Sequence, residues 1–160
     1  NEKVRSNVNK SIKKNIKDIV EKIQANDIYV LGNYMFGLPE DNMETMNETL
    51  DQAIELNCEF VNFYTVMAYP GSELYEWASK KDGYLPESWT GFAQLGYDTQ
   101  PLPTKYLQAK EVLRFRDEAF SKYYSNPGYM EMLERKFGNK VRKHMEKMLD
   151  INVKRRILGD

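Results

Sequence analysis

The order of apolar and polar positions divides the first half of the chain into alternating helices and strands. Apolar residues recur at helical spacing from Ile12 to Ile23 with charged residues between them, and Ser11 precedes them as a candidate N-cap. Nearly continuous apolar runs at residues 28–36 and 60–67 then predict two buried strands. Because one helical segment lies between them, the two strands predict a parallel βαβ unit.

The helix between the two strands has its own start and stop signals. Asp41 is the predicted N-cap, Glu44 answers it three residues later, and the helix is predicted to end near Leu56. Its buried stripe is predicted to consist of Met46, Leu50, Ala53 and Ile54. A short helix over residues 73–79 follows the second strand.

The second half of the chain begins with a long irregular segment and continues as helices. Glycine and proline punctuate residues 80–103, which also hold four aromatic residues, Tyr84, Trp89, Phe92 and Tyr97. Two interpretations stay open for this segment, a functional lid and an aromatic-stapled connection between subdomains. Helical periodicity then continues to the region of Leu158, with a break at Asn126-Pro127-Gly128.

Composition limits the class of protein. With 160 residues, 41% of them hydrophobic and 29% charged, the chain matches one ordinary globular domain or two small ones. A net charge of -1 and a pI near 6.0 give no general case for nucleic acid or an anionic membrane as partner. No apolar run approaches the roughly 18 residues of a membrane span, and no signal-peptide pattern is present, so a cytoplasmic location is expected. Because the chain starts at Asn1 without Met, we expect a processed product or an excised segment.

Charge is unevenly distributed along the chain. Residues 28–79 hold nine acidic residues and no Lys or Arg, whereas residues 135–156 are strongly basic. The basic helix at the carboxyl end is either a phosphate or partner surface or a solvated face that docks on the acidic half. No aromatic or nucleic-acid motif accompanies the basic residues, which favours the solvated face. His144 has no second ligand at helical spacing and is predicted to be a surface or packing residue.

The chain holds one cysteine, Cys58, which lies between the predicted end of the central helix and the second strand. One thiol cannot form a disulfide within the chain or a CxxC metal site. No His or Lys lies nearby in sequence to lower its pKa, so a small buried apolar role is favoured over a nucleophile.

Both predicted strands end at glycine-bearing turns, Gly37-Leu38-Pro39-Glu40 and Tyr69-Pro70-Gly71-Ser72. Ligands of parallel α/β folds bind at the carboxyl ends of strands. Gly37 permits close backbone approach, and a flat ligand could lie against Met35 and Phe36. From these residues alone, a ligand-facing turn and a simple strand-to-helix turn remain equally open.

Two apolar strands also raise a stability problem. Strands that are apolar at nearly every position are typical of sheets buried on both faces, and a two-stranded parallel sheet is only marginally stable. Either the helical remainder covers this sheet, or further strands precede Asn1; the missing Met favours further strands. Strands that have lost their neighbours are expected to drive self-association of the fragment.

At these motifs the sequence resembles a known family. The helix, the strand ending Met35-Phe36-Gly37-Leu38-Pro39-Glu40-Asp41, the next helix and strand, and Tyr69-Pro70-Gly71-Ser72-Glu73-Leu74-Tyr75 are similar to the second half of a radical S-adenosylmethionine core. The segments at residues 113–120 and 136–138 resemble the tail of the cobalamin-dependent subgroup typified by anaerobic magnesium-protoporphyrin IX monomethyl ester oxidative cyclase.

The resemblance implies a fold and a domain organisation. The fold would be α/β, a carboxy-terminal fragment of a partial (β/α)6 TIM-like barrel that contributes the last two parallel strands, followed by a helical region. Residues 1–80 would be the barrel part, residues 81–104 an aromatic-rich connecting loop, and residues 105–160 the helical carboxy-terminal region.

The resemblance also implies a site. The family motif Gly-x-Ile-x-Gly-x-x-Glu, which contributes to the adenine site, falls on Asn33, Met35, Gly37 and Glu40, with Asn33 in place of the first Gly. Phe36 lies within the motif, and Val66 and Met67 fall where the next strand lines the adenine. Glu40 is expected to organise the turn rather than to transfer protons. Ala68 stands where relatives often have Pro.

The family's reaction needs groups that this sequence lacks. A CxxxCxxC loop holds the [4Fe-4S] cluster that cleaves S-adenosylmethionine to a 5'-deoxyadenosyl radical, whereas this chain has only Cys58. Residues 1–5 resemble the segment just past the fourth strand, so the expectation is a non-catalytic fragment of a larger oxidoreductase or transferase. Its partners would be the upstream part of the same polypeptide, including a cobalamin domain, and a small-molecule substrate. The alternative is a free-standing binding or regulatory module that uses the aromatic loop and the basic helix.

Overall fold

The computed structural model describes residues 15–160 and shows a mixed α/β fold built on a small parallel sheet. In chain order its helices and strands are α1 (Ile16–Gln24), β1 (Leu31–Phe36), α2 (Met43–Leu56), β2 (Phe60–Thr65), α3 (Glu73–Ala78), a 3-10 helix (Trp89–Phe92), α4 (Ala109–Tyr124), α5 (Pro127–Phe137), α6 (Asn139–Leu149) and a 3-10 helix (Arg156–Leu158). The N-cap of α1 is Asn15, whose side chain accepts a hydrogen bond from the Lys17 amide. The predicted cap Ser11 and the predicted first apolar position Ile12 lie outside the described residues.

The predicted βαβ unit is confirmed. β1 and β2 pair in parallel, from Leu31 opposite Phe60 to Phe36 opposite Thr65. Both strands are shorter than predicted. β1 begins at Leu31 and not at residue 28, because its pairing with β2 begins at Leu31 opposite Phe60. β2 ends at Thr65 and not at residue 67, because β1 ends at Phe36 opposite Thr65. The backbone of Gly37 turns away with a φ of 88°, so β2 has no ladder partner beyond it.

Helices cover one face of this sheet. α2 packs on β1, and α4 packs on both β2 and α2. Phe36 stacks on Phe63 with ring centroids 5.5 Å apart, and it meets Phe115 of α4 edge-on at 5.0 Å. Together with Met46 and Leu50 of α2, these residues belong to the main hydrophobic core. The predicted buried stripe of α2 is thus confirmed at these positions.

The opposite face of the sheet is open among the described residues except at its amino end, where Phe60 contacts the ring of Phe137 from α5, with centroids 5.8 Å apart. It carries three cross-strand pairs, Leu31 with Phe60, Asn33 with Asn62, and Met35 with Tyr64. Leu31, Met35 and Phe60 are each about half exposed, at 52%, 49% and 46%. The prediction of strands buried on both faces is therefore met on one face only, because α2 and α4 both pack on that side of the sheet.

The two edges of the sheet differ in their hydrogen bonding: side chains bind the outer edge of β2 but not that of β1, among the described residues. On the outer edge of β2, the Tyr124 hydroxyl accepts from the Val61 amide at 3.2 Å and donates to its carbonyl at 2.6 Å. Further along the same edge, the side-chain amide of Gln94 accepts a hydrogen bond from the Thr65 backbone amide at 3.0 Å and donates one to the Thr65 carbonyl at 2.9 Å. The outer edge of β1 has no such partner among the described residues. Any self-association through strand pairing, which stays a prediction, would use the β1 edge.

The basic carboxy-terminal region forms local and long-range ion pairs. Arg142 of α6 pairs with Glu146 one turn further along the same helix and with Glu134 of α5. Lys136 reaches Glu59 at the start of β2, so the predicted docking on the acidic half occurs at this contact. His144 is exposed, as predicted. No helix in residues 15–160 is long and apolar enough to span a membrane.

Candidate functional site

A cleft of about 290 Å³ lies at the carboxyl ends of β1 and β2. Its lining residues are Gly37, Pro39, Glu40, Val66, Leu74, Trp77, Lys81, Tyr84, Leu102, Pro103, Thr104 and Lys105. The cleft therefore borders the turn after β1 and the end of β2, where a parallel sheet binds ligands, whereas no residue of the second turn, 69–72, lines it. Three of the six residues proposed from the sequence line it.

The other three proposed residues lie elsewhere. Met35 is on the open face of the sheet, beside the cleft rather than in its lining. Phe36 is fully buried in the main core and Met67 is 6% exposed, and neither lines the cleft. Side chains alternate along a strand, so Met35 and Phe36 point to opposite faces and cannot both contact one flat ligand.

The turn after β1 is organised by Asp41, not by Glu40. The buried Asp41 carboxylate accepts hydrogen bonds from the amides of Gly37 and Leu38, at 3.0 and 2.9 Å, and from the Thr45 hydroxyl at 2.8 Å. This corrects the role predicted for Glu40. It also moves the N-cap of α2 from Asp41 to Asn42, whose side chain forms a reciprocal capping box with Thr45.

Gly37 is required by packing as well as by backbone conformation. Its φ of 88° lies in the region that favours glycine, and an added Cβ would lie 2.6 Å from Cγ1 of Val112 in α4. The close approach that the sequence assigned to a ligand is thus made by the protein itself. Gly37 still contributes to the cleft wall through its backbone.

Aromatic and cationic side chains form the outer wall of the cleft. Trp77 of α3 meets Tyr84 edge-on with ring centroids 5.5 Å apart. The Lys81 ammonium lies over both rings, at 4.8 and 5.4 Å from their centroids. The side chain of Trp77 lines this cleft and is 43% exposed.

A second lysine closes the rim near the first turn. Lys105 lies 3.5 Å from the Glu40 carboxylate, and its amide donates to the carbonyl of Pro39. A hydrogen bond with Tyr106 and the nearby Glu40 carboxylate raise the pKa of Lys105. Glu40 is therefore a rim residue that pairs with a lysine from the distant loop.

The backbone at the end of β2 is already satisfied. The Val66 amide donates to the carbonyl of Phe36, and its carbonyl accepts from the amide of Leu102. A ligand in the cleft would therefore meet Val66 through apolar contact. Leu102 and its neighbours were not proposed from the sequence; the signal for them was the proline pair Pro101 and Pro103 at the end of the long loop.

No metal centre can be built from the residues described. Within residues 15–160 no group of three or more His, Cys, Asp or Glu side chains is placed to hold a metal ion. Cys58 is 1% exposed, which confirms the buried position predicted for it from the sequence. Burial and the neighbouring Glu59 raise the pKa of its thiol, which disfavours the thiolate.

Comparison with known proteins gives a weak similarity to a methyltransferase. No family model matches the chain. Over 110 residues, 69% of the chain, it is 21% identical to an uncharacterized methyltransferase of Pyrococcus horikoshii. The match covers 23% of that protein, so the chain spans about a quarter of its length. The chain thus shows weak methyltransferase-like similarity.

Proposed function

We propose that this chain forms the last two strands and the carboxy-terminal helical region of a partial (β/α)6 barrel in a radical S-adenosylmethionine enzyme. The cleft at the strand ends would hold the adenine of S-adenosylmethionine. In this proposal residues 1–80 belong to the barrel, residues 81–104 form the connecting loop, and residues 105–160 form the helical region. The weak methyltransferase-like similarity is consistent with use of this cofactor.

The observation that carries the proposal is the one-sided parallel sheet. Doubly wound folds place helices on both faces of a parallel sheet, whereas a barrel places them on the outer face alone. Here α2 and α4 lie on one face, and Leu31, Met35 and Phe60 remain half exposed on the other. Side chains close the β2 edge while the β1 edge is left for another strand, which matches a terminal strand at β2.

The residues of the cleft fit a planar base. The volume of about 290 Å³ is near the lower end of small-molecule sites, about 300–1,000 Å³, so it suits part of a ligand. Pro39 and Val66 offer apolar contact, and Trp77 offers an aromatic face for stacking. When bound, S-adenosylmethionine would supply the 5'-deoxyadenosyl group for the family's radical chemistry, and these residues would hold and orient its base.

The implied iron-sulfur cluster does not fit the cysteine content of this chain. A [4Fe-4S] cluster held by three thiolates cannot be built from one cysteine, and that cysteine is buried among the tyrosines beneath the sheet. We therefore place the cluster, and any cobalamin, in other parts of the parent polypeptide. The alternative of a free-standing binding module draws no support from the similarity.

The two tryptophans allow a direct test. Trp77 lines the cleft and Trp89, 78% exposed, lies outside it. In the Trp89→Phe variant, Trp77 is the only tryptophan, and we expect S-adenosylmethionine to quench its fluorescence saturably. In the matched Trp77→Phe variant, the same titration should leave Trp89 fluorescence unchanged. Equal quenching in both variants, or equal quenching of Trp77 by guanosine, would overturn the adenine site.

A further inference from the structure

An apolar groove lies on the outer side of α4, away from the cleft at the strand ends. It has a volume of about 790 Å³ and lies between α4 and the segment that follows α6. Its apolar lining consists of Leu95, Phe120, Met148, Ile151, Val153 and Leu158. Leu95 and Ile151 are 70% and 65% exposed, so this surface is not covered by the described residues. The volume lies within the range of small-molecule sites, about 300–1,000 Å³.

A buried charge cluster borders the groove. Arg116, which lines it, is 3% exposed, and Arg155 beside it is fully buried. Both guanidinium groups share one carboxylate, since Asp117 lies 2.7 Å from Nη1 of Arg116 and 3.0 Å from Nε of Arg155. Two buried cations thus share one carboxylate, whose side chain is 26% exposed, and this leaves an excess of positive charge on the buried side of the cluster.

The charges at the rim do not change this balance. Arg114 and Lys122 face the groove from α4, and Glu118 and Asp160 offset them. These four side chains belong to exposed residues, where solvent and salt screen their charges. Asp160 also accepts a hydrogen bond from the Arg155 amide at 2.9 Å. The two buried arginines, Arg116 and Arg155, therefore decide the charge preference of the groove, which is for a negatively charged ligand.

Arg116 has one side-chain nitrogen without a hydrogen-bond partner. Its Nη1 pairs with Asp117 and its Nη2 donates to the carbonyl of Gln94. Its Nε is the one buried side-chain nitrogen or oxygen of the described residues without a hydrogen-bond partner. A buried donor without a hydrogen-bond partner costs about 1–3 kcal/mol in free energy, so an acceptor next to this nitrogen would be stabilising. Burial lowers the pKa of Arg116 and Arg155 adds to that effect, while Asp117 opposes it.

We propose that this groove binds a linear amphipathic carboxylate, with its head group at Arg116 and its chain along the apolar lining. A carboxylate supplies both the missing acceptor for Nε and the missing negative charge for the arginine pair. An unbranched chain suits a lining of aliphatic side chains contributed by α4, α6 and the segment after it. This site is independent of the proposed adenine cleft.

The test uses three amphiphiles of equal chain length below their micelle concentrations. Decanoate, decyl maltoside and decyltrimethylammonium are titrated into the whole chain by isothermal calorimetry. We expect saturable 1:1 binding of decanoate and no saturable binding of the neutral or cationic amphiphile. Equal binding of decyl maltoside would show that charge plays no part and would overturn the proposal, as would the absence of decanoate binding.

A matched pair of isoleucines localises the binding. Ile151→Glu places a carboxylate in the groove, and Ile28→Glu makes the same change at a similarly exposed residue outside it, 65% against 57%. We expect decanoate affinity to fall about tenfold or more in Ile151→Glu and to stay unchanged in Ile28→Glu. Equal affinities in the two variants would overturn the location. Arg116→Gln, where it folds, should also weaken decanoate binding.

Discussion

Glu59 is the most informative position at which to test the energetics of this fold. It is fully buried at the start of β2, and its carboxylate accepts from the Val30 amide at 2.9 Å and from the Gln24 side chain at 3.2 Å. Lys136 of α5 forms an ion pair with the same carboxylate. One side chain therefore joins α1, β1, β2 and α5, and we expect Glu59→Gln to destabilise all four together.

The magnitude follows from what the substitution removes. A glutamine keeps an acceptor for the Val30 amide, so that hydrogen bond survives. Removing one partner from a fully buried ion pair costs about 3–5 kcal/mol, but the Lys136 side chain is 23% exposed and can turn to solvent. Glutamine is also uncharged, so the variant does not have to desolvate a buried charge on folding, and this lowers the cost of the substitution. We therefore expect a loss of about 2 kcal/mol in the free energy of unfolding at pH 7.

The same contacts predict a pH dependence with a definite sign. Burial by itself raises the pKa of Glu59, but hydrogen bonds from Lys136, Val30 and Gln24 outweigh it and hold the pKa below its ordinary value. An acid whose pKa is lowered on folding stabilises the fold above its unfolded pKa, about 4.3. That stability is lost as the pH falls through the lower folded value. Wild type should therefore lose part of its advantage over Glu59→Gln between about pH 5 and pH 3.

Urea unfolding followed by circular dichroism at pH 7, 5 and 3 measures this difference. The matched control is Glu55→Gln, which removes the carboxylate of the exposed Lys17–Glu55 pair. That control should lose less than about 1 kcal/mol at any pH, as exposed pairs do. The reasoning is refuted if Glu59→Gln costs no more than Glu55→Gln at pH 7, or if its cost does not change with pH.

Three further predictions concern packing beneath the sheet. Gly37→Ala should cost about 2–4 kcal/mol in urea unfolding, because its Cβ would meet Val112 at 2.6 Å and its φ is 88°; a cost below about 1 kcal/mol would contradict this. Tyr124→Phe should cost about 1–3 kcal/mol and speed hydrogen exchange of the Val61 amide, since one hydroxyl serves both backbone groups of Val61; unchanged exchange would argue against edge closure. Cys58, 1% exposed with a raised thiol pKa, should react with Ellman's reagent only on unfolding, and rapid reaction in the native protein would refute its burial.

The sequence was sufficient for the elements of the βαβ unit. Apolar runs predicted both strands, and the spacing of Met46 and Leu50 predicted the face of α2 that packs on the core. The predicted start of β1 was three residues too early and the predicted end of β2 two residues too late, because a strand extends only as far as its partner pairs with it. That partner is fixed by the parallel register of Leu31 with Phe60, which is a tertiary property.

Local chemistry at the turn was harder to predict. Asp41 and Glu40 are adjacent acidic residues, and both are suited to the start of a helix. The side chain of Asp41 is short enough to fold back onto the amides of Gly37 and Leu38, whereas Glu40 extends to the rim. The sequence gives residue types, but the direction of each side chain depends on the turn geometry.

Contacts between distant segments were not predictable at all. Trp77 and Lys105 lie 28 positions apart and meet around one cleft because Leu102 hydrogen bonds to the end of β2. The basic pattern of residues 135–156 favours a solvated position for Arg155, yet the structure buries it fully against Asp117. A charge pattern alone does not distinguish an exposed arginine from one that holds two helical segments together.

The central claim is that the cleft between the two strand ends holds the adenine of S-adenosylmethionine. The most direct measurement is an intermolecular NOE experiment on the isotopically labelled chain with S-adenosylmethionine at millimolar concentration. The account predicts NOEs from the adenine H2 and H8 protons to the methyl groups of Val66 and to the indole ring of Trp77. NOEs only to the open face at Leu31 and Phe60, or no NOE to either cleft residue, would contradict it.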